Sequence, residues 1–243
     1  MGVASPIYWP PCVLNKKIAM GTRNMVKEKA MSRDEAKLAL ARGAELAIEA
    51  SEEGANLIGI GDMGIGNTTS ASAITAIATG NEVREVVGRG TGLNDACLEK
   101  KIEIISKTIR LHRPDSEDPI GILESVGGFE IAGMAGVILG AASKKVPVVL
   151  DGFISGSAAL IAAGLSPLSR AYMIASHRSV ERGHDAILRH LGLNPLLDFN
   201  MRLGEGTGAA LAMPIIEASC KILSEMATFE SAGVSKRKVI GDE

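Results

Sequence analysis

Short apolar runs alternate along the chain with loops of small and polar residues and with alanine-rich stretches. The runs are 56–60, 146–150 and 171–175, and each is apolar at successive positions rather than at every second one. This pattern is typical of strands buried on both faces, as in a parallel sheet covered by helices. We therefore predict an α/β fold, Rossmann-like and three-layered, with ligand loops at the carboxyl ends of the strands.

The helical stretches have recognisable starts, ends and packing faces. Ser32 and Glu35 have the spacing of a capping box, which predicts a helix start, and Gly54 is a plausible end cap. The longest apolar stretch, 131–142, is too short to span a bilayer and contains Gly136 and Gly140 in GxxxG spacing. In such a chain this spacing indicates a helix packed close against its neighbours.

Composition narrows the class of protein. The 243 residues are 46% hydrophobic and 3% aromatic with a net charge of −2, which disfavours nucleic acid as a partner. The odd number of scattered cysteines, Cys12, Cys97 and Cys220, favours neither a disulfide framework nor a zinc site. We expect a cytoplasmic protein without a signal peptide or membrane partner, folded as a single domain over 1–243 with an irregular start at 1–12 and a loose tail at 230–243.

Two glycine-rich loops have the composition of anion sites. In the first, Gly64, Gly66 and Asn67 lead into a predicted helix that begins at Thr68, where unpaired N–H groups and the helix dipole favour an anion. The alternative is a tight strand–helix turn capped by Thr68. The second loop, 88–92, precedes a helix with Lys100 and Lys101; phosphate binding and a flexible loop beside a solvated basic face are equally compatible with it.

Other motifs give weaker indications. Residues 59–64 match GxGxxG, and Glu82 has a suitable spacing for a ribose-binding acid, but a dinucleotide site needs the helix to begin within the motif. An NAD-dependent oxidoreductase therefore remains a less favoured alternative. His177, His184 and His190 lack metal-ligand spacing and are better explained as surface or core residues.

A third glycine cluster surrounds an acidic residue. Glu205 has Gly204 and Gly206 as neighbours, which gives it no obvious packing role, and the apolar stretch 209–222 that follows favours a partly buried carboxylate. It is a candidate general base, although a solvated turn acid is the alternative. Asp62, Asp151 and His177 follow predicted strands and should lie at the same edge of the sheet.

Taken together, these clusters resemble the nicotinate-nucleotide–dimethylbenzimidazole phosphoribosyltransferase family of cobalamin assembly. The matching segments occur in the family's order, cover roughly residues 13 to 228, and are jointly specific. They are Lys17–Asn24, Gly61–Thr69, Val87–Gly92, Val126–Ala132, Val148–Phe153, Ser176–Glu181 and Arg202–Gly208.

The resemblance implies transfer of phosphoribose from nicotinate mononucleotide to dimethylbenzimidazole, with release of nicotinate and without metal or cofactor. It implies that Glu205 is the catalytic base and that Met63 and Leu203 flank the aromatic base. It implies a phosphate site at Gly64, Gly66, Asn67, Gly90, Lys101 and Ser179. Asp62, Thr68 and Asp151 complete the expected substrate-binding set, and the expected assembly is a homodimer or a pairing with a separately encoded N-terminal half.

Two departures from the family pattern affect these expectations. Asp62 stands where the family usually has Glu, which shortens a site carboxylate by one methylene. The family's N-terminal segment, which supplies part of the dimethylbenzimidazole pocket, is not matched by residues 1–12. An alternative expectation is therefore a truncated, weakly active or inactive nucleotide-binding relative, or one half of a split enzyme, that binds the nucleotide better than the aromatic base.

Overall fold

A computed structural model describes residues 1–5, 10, 12–90 and 92–234. The helices are α1 (Arg33–Glu52), α2 (Thr68–Thr79), α3 (Val83–Val86), α4 (Asp95–His112), α5 (Pro119–Val126), α6 (Phe129–Ser143), α7 (Phe153–Leu165), α8 (Arg182–Leu191) and α9 (Thr207–Glu225). The strands are β1 (Ile58–Ile60), β2 (Val148–Leu150), β3 (Met173–Ala175), β4 (His177–Ser179) and β5 (Leu197–Met201). A 3-10 helix, Pro167–Tyr172, precedes β3.

The predicted parallel sheet is present in the order β1-β2-β3. Its strands are shorter than the apolar runs that predicted them, because only part of each run is hydrogen-bonded to a neighbour. Val148 and Leu150 point into the main core, which includes side chains of α6 and α7, whereas Val149 packs against Ala209 and Ala212 of α9. Helices thus cover both faces of the sheet, and the predicted α/β, three-layer fold is confirmed.

A second, smaller sheet corrects one expectation. The segment 176–179 reads as a loop in the sequence, but β4 pairs in parallel with β5. His177 and Ser179 are buried while Arg178 between them is exposed, which is the alternation of a strand. Three residues with two polar inward positions are too few for hydropathy to reveal this strand.

Close packing of α1 against α6 explains the GxxxG spacing. A Cβ atom at Gly136 would lie 2.0 Å from the carbonyl oxygen of Leu40, and one at Gly140 would lie 2.5 Å from that of Ala44. Gly43 of α1 approaches the backbone of α6 equally closely. The predicted helix–helix contact is therefore confirmed, and so is the capping box, in which Ser32 and Glu35 each bond to the other's backbone N–H.

The carboxyl ends of the parallel strands meet at one edge of the sheet. The loops 61–67, 151–152 and 202–206 converge there, and α2, α7 and α9 begin beside them. None of the helices in the described ranges is long and apolar enough to cross a bilayer.

Candidate active site

A cavity of about 950 Å³ opens at this edge of the sheet. Every site residue predicted from the sequence lines it: Asp62, Met63, Gly64, Gly66, Asn67, Thr68, Gly90, Lys101, Asp151, Ser179, Leu203 and Glu205. The structure therefore brings together residues from the first, second and third glycine clusters, the outermost of which, Asp62 and Glu205, are 143 positions apart in the sequence (205 minus 62).

The β1–α2 loop forms one wall of the cavity. Asp62 is half-buried and accepts a hydrogen bond from the side-chain amide of Asn67. Burial raises the pKa of the Asp62 carboxyl, and the Asn67 amide partly opposes that shift. Asn67, not Thr68, occupies the N-cap position of α2, and its side chain does not bond to the helix. The interpretation of Thr68 as the cap is wrong, because Thr68 is already the first residue of the helix.

Lys101 lies at the floor of the cavity, beside the start of α2. Its side chain is largely buried, with the residue 7% exposed, and Nζ donates to the Thr68 hydroxyl at 2.9 Å and to the Gly88 carbonyl at 3.3 Å. Burial lowers the pKa of the Lys101 ammonium, opposed by the charge of Glu181. Gly90 also approaches Thr68, whereas Lys100 is exposed. Two of the residues expected to hold phosphate, Lys101 and Gly90, thus lie beside Thr68.

Glu205 lies in a loop with an unusual backbone. Gly204, Glu205 and Gly206 have φ angles of 76°, 60° and 77°, so a non-glycine residue adopts the left-handed conformation between two glycines. Such conformations are uncommon for a residue with a Cβ atom and concentrate at functional sites. The Glu205 N–H donates to the Asp62 carbonyl at 3.1 Å. Glu205 is exposed, so the expectation of partial burial is wrong: burial of the following helix begins at Gly208.

Asp151 fixes this loop through hydrogen bonds from its backbone. It is 2% exposed, and its Oδ2 and Oδ1 atoms accept hydrogen bonds from the backbone N–H groups of Gly206 at 2.9 Å and Gly208 at 2.8 Å. His177 packs against the same loop, since a Cβ atom at Gly208 would lie 2.0 Å from its Nδ1 atom. The carboxylate of Asp151 therefore connects the end of β2 to the start of α9.

The two buried histidines, His177 and His184, lie within hydrogen-bond distance of neighbouring protein groups. His177 Nδ1 lies 3.0 Å from the Ser176 hydroxyl and 3.7 Å from Asp151 Oδ1, and burial lowers its pKa. His184 accepts a hydrogen bond at Nδ1 from the backbone N–H of Ser179 at 2.9 Å. Burial lowers the pKa of His184 to about 3, so its ring is neutral at ordinary pH. Both are buried, as one alternative from the sequence proposed, and His177 also lines the cavity beside Asp151. His184 fixes the backbone of Ser179.

Sequence reasoning missed two acidic residues near the cavity. Glu181 lines it beside Gly88 and Lys101, and it is not among the site residues predicted from the sequence. Glu130, in the first turn of α6, has its pKa raised by burial and further by the charge of Asp62. Both lie in segments that carry the family resemblance, 126–132 and 176–181, which could have pointed to them, but neither directly follows a predicted strand. Among the described residues, no group of three or more His, Cys, Asp or Glu side chains has metal-site geometry.

Comparisons with known proteins identify the family of this chain. A family model described as phosphoribosyltransferase matches residues 1–234, so the match begins at the first residue and extends beyond the segments quoted above. The fold and the cavity accordingly define a phosphoribosyltransferase, an enzyme of the pentosyl-transfer class.

Individual relatives give the particular family. The nicotinate-nucleotide–dimethylbenzimidazole phosphoribosyltransferase of Chloroflexus aggregans is 55% identical over 98% of this chain and 67% of its own length. The enzyme of the same name from Geobacter metallireducens is 53% identical, over 97% and 67%. The crystal structure of CobT from Thermus thermophilus is 43% identical and superposes with a TM-score of 0.91 over 97% of this chain and 70% of that one. The chain belongs to the nicotinate-nucleotide–dimethylbenzimidazole phosphoribosyltransferase family and spans about two thirds of the length of these relatives.

Proposed function

We propose that this chain transfers phosphoribose from nicotinate mononucleotide to 5,6-dimethylbenzimidazole, giving α-ribazole 5′-phosphate and nicotinate in cobalamin biosynthesis. The substrates come from the names of its relatives. The observation that carries the proposal is the arrangement of the cavity, which has a cationic, glycine-rich end around Lys101 and the exposed carboxylate of Glu205 in the same space.

The cationic end suits the phosphate of the nucleotide. The N-terminus of α2 presents its positive dipole end there, and the Lys101 ammonium lies beside it. Gly64, Gly66 and Gly90 allow close approach of a ligand to the backbone, and Asn67, Thr68 and Ser179 add polar groups. In this proposal Asp62, half-buried beside Asn67, contacts the ribose.

Two apolar side chains in the loops of Asp62 and Glu205 suit an aromatic base. Met63 and Leu203 line the cavity and are 74% and 66% exposed, so they offer apolar surface that a planar ring would cover. Burial of apolar area stabilises a complex by roughly 25 cal/mol per Å². Met63 directly follows Asp62, and Leu203 lies two positions before Glu205. In this proposal their apolar surface therefore lies near the Glu205 carboxylate.

The chemistry requires one base and accurate placement. One nitrogen of dimethylbenzimidazole attacks C1′ of the ribose, the bond from C1′ to the nicotinate ring nitrogen breaks, and its electron pair stays with nicotinate. The carboxylate of Glu205 takes the proton from the other benzimidazole nitrogen. Because the pyridinium nitrogen leaves as a neutral ring nitrogen, positioning of the two substrates supplies much of the remaining acceleration.

Asp151 contributes indirectly in this proposal. Both of its oxygens already accept backbone hydrogen bonds from the Glu205 loop, so we assign it to fixing that loop. It also lines the cavity, but it is only 2% exposed.

A second copy of the chain is the proposed partner. Helix α9 exposes a row of large apolar side chains, and apolar surface of this kind marks interaction sites. These side chains are Leu211, Ile215, Ile222 and Leu223. Light scattering of the purified chain tests the homodimer. We place the protein in the cytoplasm because Cys12, Cys97 and Cys220 are all free and exposed, which suits a reducing compartment.

The activity is tested directly with the purified chain. Nicotinate mononucleotide and dimethylbenzimidazole are incubated together, and nicotinate and α-ribazole 5′-phosphate are separated by chromatography. Equal amounts of both products are expected. If nicotinate appears without α-ribazole phosphate, the chain hydrolyses the nucleotide and the proposed transfer is wrong. If NAD raises the melting temperature and nicotinate mononucleotide does not, the oxidoreductase alternative replaces it.

A further inference from the structure

A buried lysine, Lys101, and a half-buried glutamate, Glu181, lie near the cationic end of the cavity without a charged partner in direct contact. Lys101 and Glu181 each form no ion pair within 4.0 Å with any residue that the structure describes. The Oε2 atom of Glu181 is buried and has no hydrogen-bond partner in the described part of the chain. Leaving a buried acceptor atom without a hydrogen-bond partner costs free energy, so its position calls for a reason.

The two groups flank the same glycine. A Cβ atom at Gly88 would lie 1.8 Å from Glu181 Oε2, so a larger residue there would occupy the position of the carboxylate. The carbonyl oxygen of Gly88 accepts a hydrogen bond from Lys101 Nζ at 3.3 Å. The ammonium and the carboxylate are thus held on either side of one peptide segment, at the wall of the cavity.

A purely local role does not account for Glu181. It occupies the N-cap position of α8, but its side chain makes no capping hydrogen bond. Its backbone carbonyl accepts from the N–H of His184, which any residue could provide. The side chain instead points toward Gly88 and lines the cavity.

Several other charged groups lie around Lys101. Helix α2 carries none, Arg84 of α3 pairs with Glu99, and Glu124 of α5 pairs with Lys29. Arg89 in the preceding loop pairs with Asp95. The remaining charged groups on the cavity wall or on α4 beside Lys101 are Lys100, Glu103, Asp62, Asp151, Arg202 and Glu205. Of these, Asp151 accepts two backbone hydrogen bonds, Asp62 accepts one from Asn67, and the others are exposed.

We propose that Glu181 is a positioning residue that keeps Lys101 charged and held against Thr68 while the cavity is empty. The anionic end of the substrate then meets a cation that is already in place. The attraction between unit charges grows as the dielectric constant falls, so a carboxylate beyond hydrogen-bond distance still acts strongly in this setting. The proposal rests on the proposed function, because it takes Lys101 as the phosphate ligand.

The first test is made on the ligand-free protein. Lysine Cε and Nζ resonances are followed by NMR against pH, and Lys101 is assigned from its absence in Lys101→Arg. Glu181→Gln, which keeps the shape of the side chain, should lower the pKa of Lys101, with a loss of proton affinity of about tenfold. Glu103→Gln, which removes a carboxylate two positions from Lys101 on the same helix, should change it little, because solvent screens that charge.

The second test measures binding of nicotinate mononucleotide by calorimetry across a pH series. In Glu181→Gln the dissociation constant should rise about tenfold at pH values above the titration of Lys101 and converge with the wild type below it. Because arginine stays protonated, the alkaline loss should disappear in the double variant Lys101→Arg with Glu181→Gln. Glu181→Asp, which retains the charge, covers the case in which Glu181→Gln fails to fold.

An unchanged Lys101 titration in Glu181→Gln would overturn the proposal. So would tighter binding of the nucleotide at every pH, because Glu181 would then act on the phosphate by repulsion alone. A shifted Lys101 titration together with no binding of nicotinate mononucleotide would support the coupling of the two residues and would reject the proposed substrate instead.

Discussion

Asp151 Oδ1 accepts a hydrogen bond from the backbone N–H of Gly208 at 2.8 Å, which joins the end of a buried strand to the first turn of the helix that follows the candidate base. The other oxygen accepts from Gly206 at 2.9 Å. The position of the Glu205 carboxylate therefore depends on a side chain that is more than fifty residues away in sequence and is itself buried.

Asp151→Asn should slow phosphoribosyl transfer and lower stability. An amide has one acceptor oxygen, so one of the two glycine N–H groups would face an NH₂ group instead, at a cost of about 1–3 kcal/mol. Steady-state rates and urea unfolding measure both effects. Asp185→Asn, at an exposed ion pair with Arg178, is the matched control and should cost less than about 1 kcal/mol. A wild-type rate in Asp151→Asn would show that the loop does not need this carboxylate.

Gly61→Ala should reduce the transfer rate more than Gly59→Ala. The new methyl group at position 61 would lie 2.1 Å from the backbone nitrogen of Gly206 and would push the Glu205 loop away from the sheet. At position 59 it would meet the terminal methyl of Met213 at 2.7 Å, and that flexible side chain can move. Overpacking at the rigid site should cost about 1–3 kcal/mol. Equal rates in the two variants would contradict this account.

Lys101→Ala should reduce the rise in melting temperature that nicotinate mononucleotide produces. A ligand that binds the native state stabilises it by mass action, and losing a charged hydrogen bond of about 1.5–3 kcal/mol weakens binding roughly tenfold to a hundredfold. Lys100→Ala on the exposed side of the same helix is the control. If both variants lose the thermal shift equally, the phosphate is bound by the general basic surface rather than by the buried lysine.

The sequence predicted the parts of the site that depend on local order along the chain. A strand followed by a glycine-rich loop places Asp62 and Asp151 at the carboxyl edge of a parallel sheet, and this needs only the strand pattern. Helix starts at Ser32 and near Thr68 follow from capping and loop composition in the same way.

Contacts between distant segments could not be predicted from local patterns in the sequence. Glu181 and Gly88 are 93 positions apart (181 minus 88), and nothing in either segment shows that a carboxylate lies against that glycine. Glu205 is exposed and not partly buried as expected, because the apolar pattern describes α9 and not the loop before it, where Glu205 has a left-handed backbone. The short strand β4 was missed since two of its three residues are polar although buried.

Glu205→Gln should abolish most of the transfer while leaving nicotinate mononucleotide bound. Glutamine keeps the size and position of the side chain but cannot accept the benzimidazole proton, and loss of a general base typically costs about 10²–10⁴-fold in rate. Release of nicotinate reports the rate, and calorimetry reports binding. Glu217→Gln, at an exposed pair with Lys221 on α9, should leave both unchanged. Near-wild-type release of nicotinate by Glu205→Gln would remove this residue from the mechanism.

His184 should make the protein less stable as the pH falls below neutrality. The folded chain buries its neutral ring with a pKa of about 3, whereas the ring of an unfolded chain titrates near 6.5. Between these values the unfolded state binds a proton that the folded state does not, so this contribution is complete above about pH 6.5 and is lost as the pH falls toward 3. From about pH 8 to about pH 5, His184 should account for a loss of about 2 kcal/mol in the free energy of unfolding.

Urea unfolding at the two pH values measures this loss in the wild type and in His184→Asn, whose amide oxygen can still accept from the Ser179 N–H but does not titrate. The variant should lose about 2 kcal/mol less than the wild type over this range, whatever its stability at neutral pH. Other groups that titrate in the same range remain in both proteins, so the difference isolates His184. His190→Asn is the control on the same helix; burial lowers the pKa of this exposed histidine by less, so the variant should stay closer to the wild type. If His184→Asn and the wild type lose stability in parallel, the ring is protonated in the folded protein, and its hydrogen bond from Ser179 does not persist in solution.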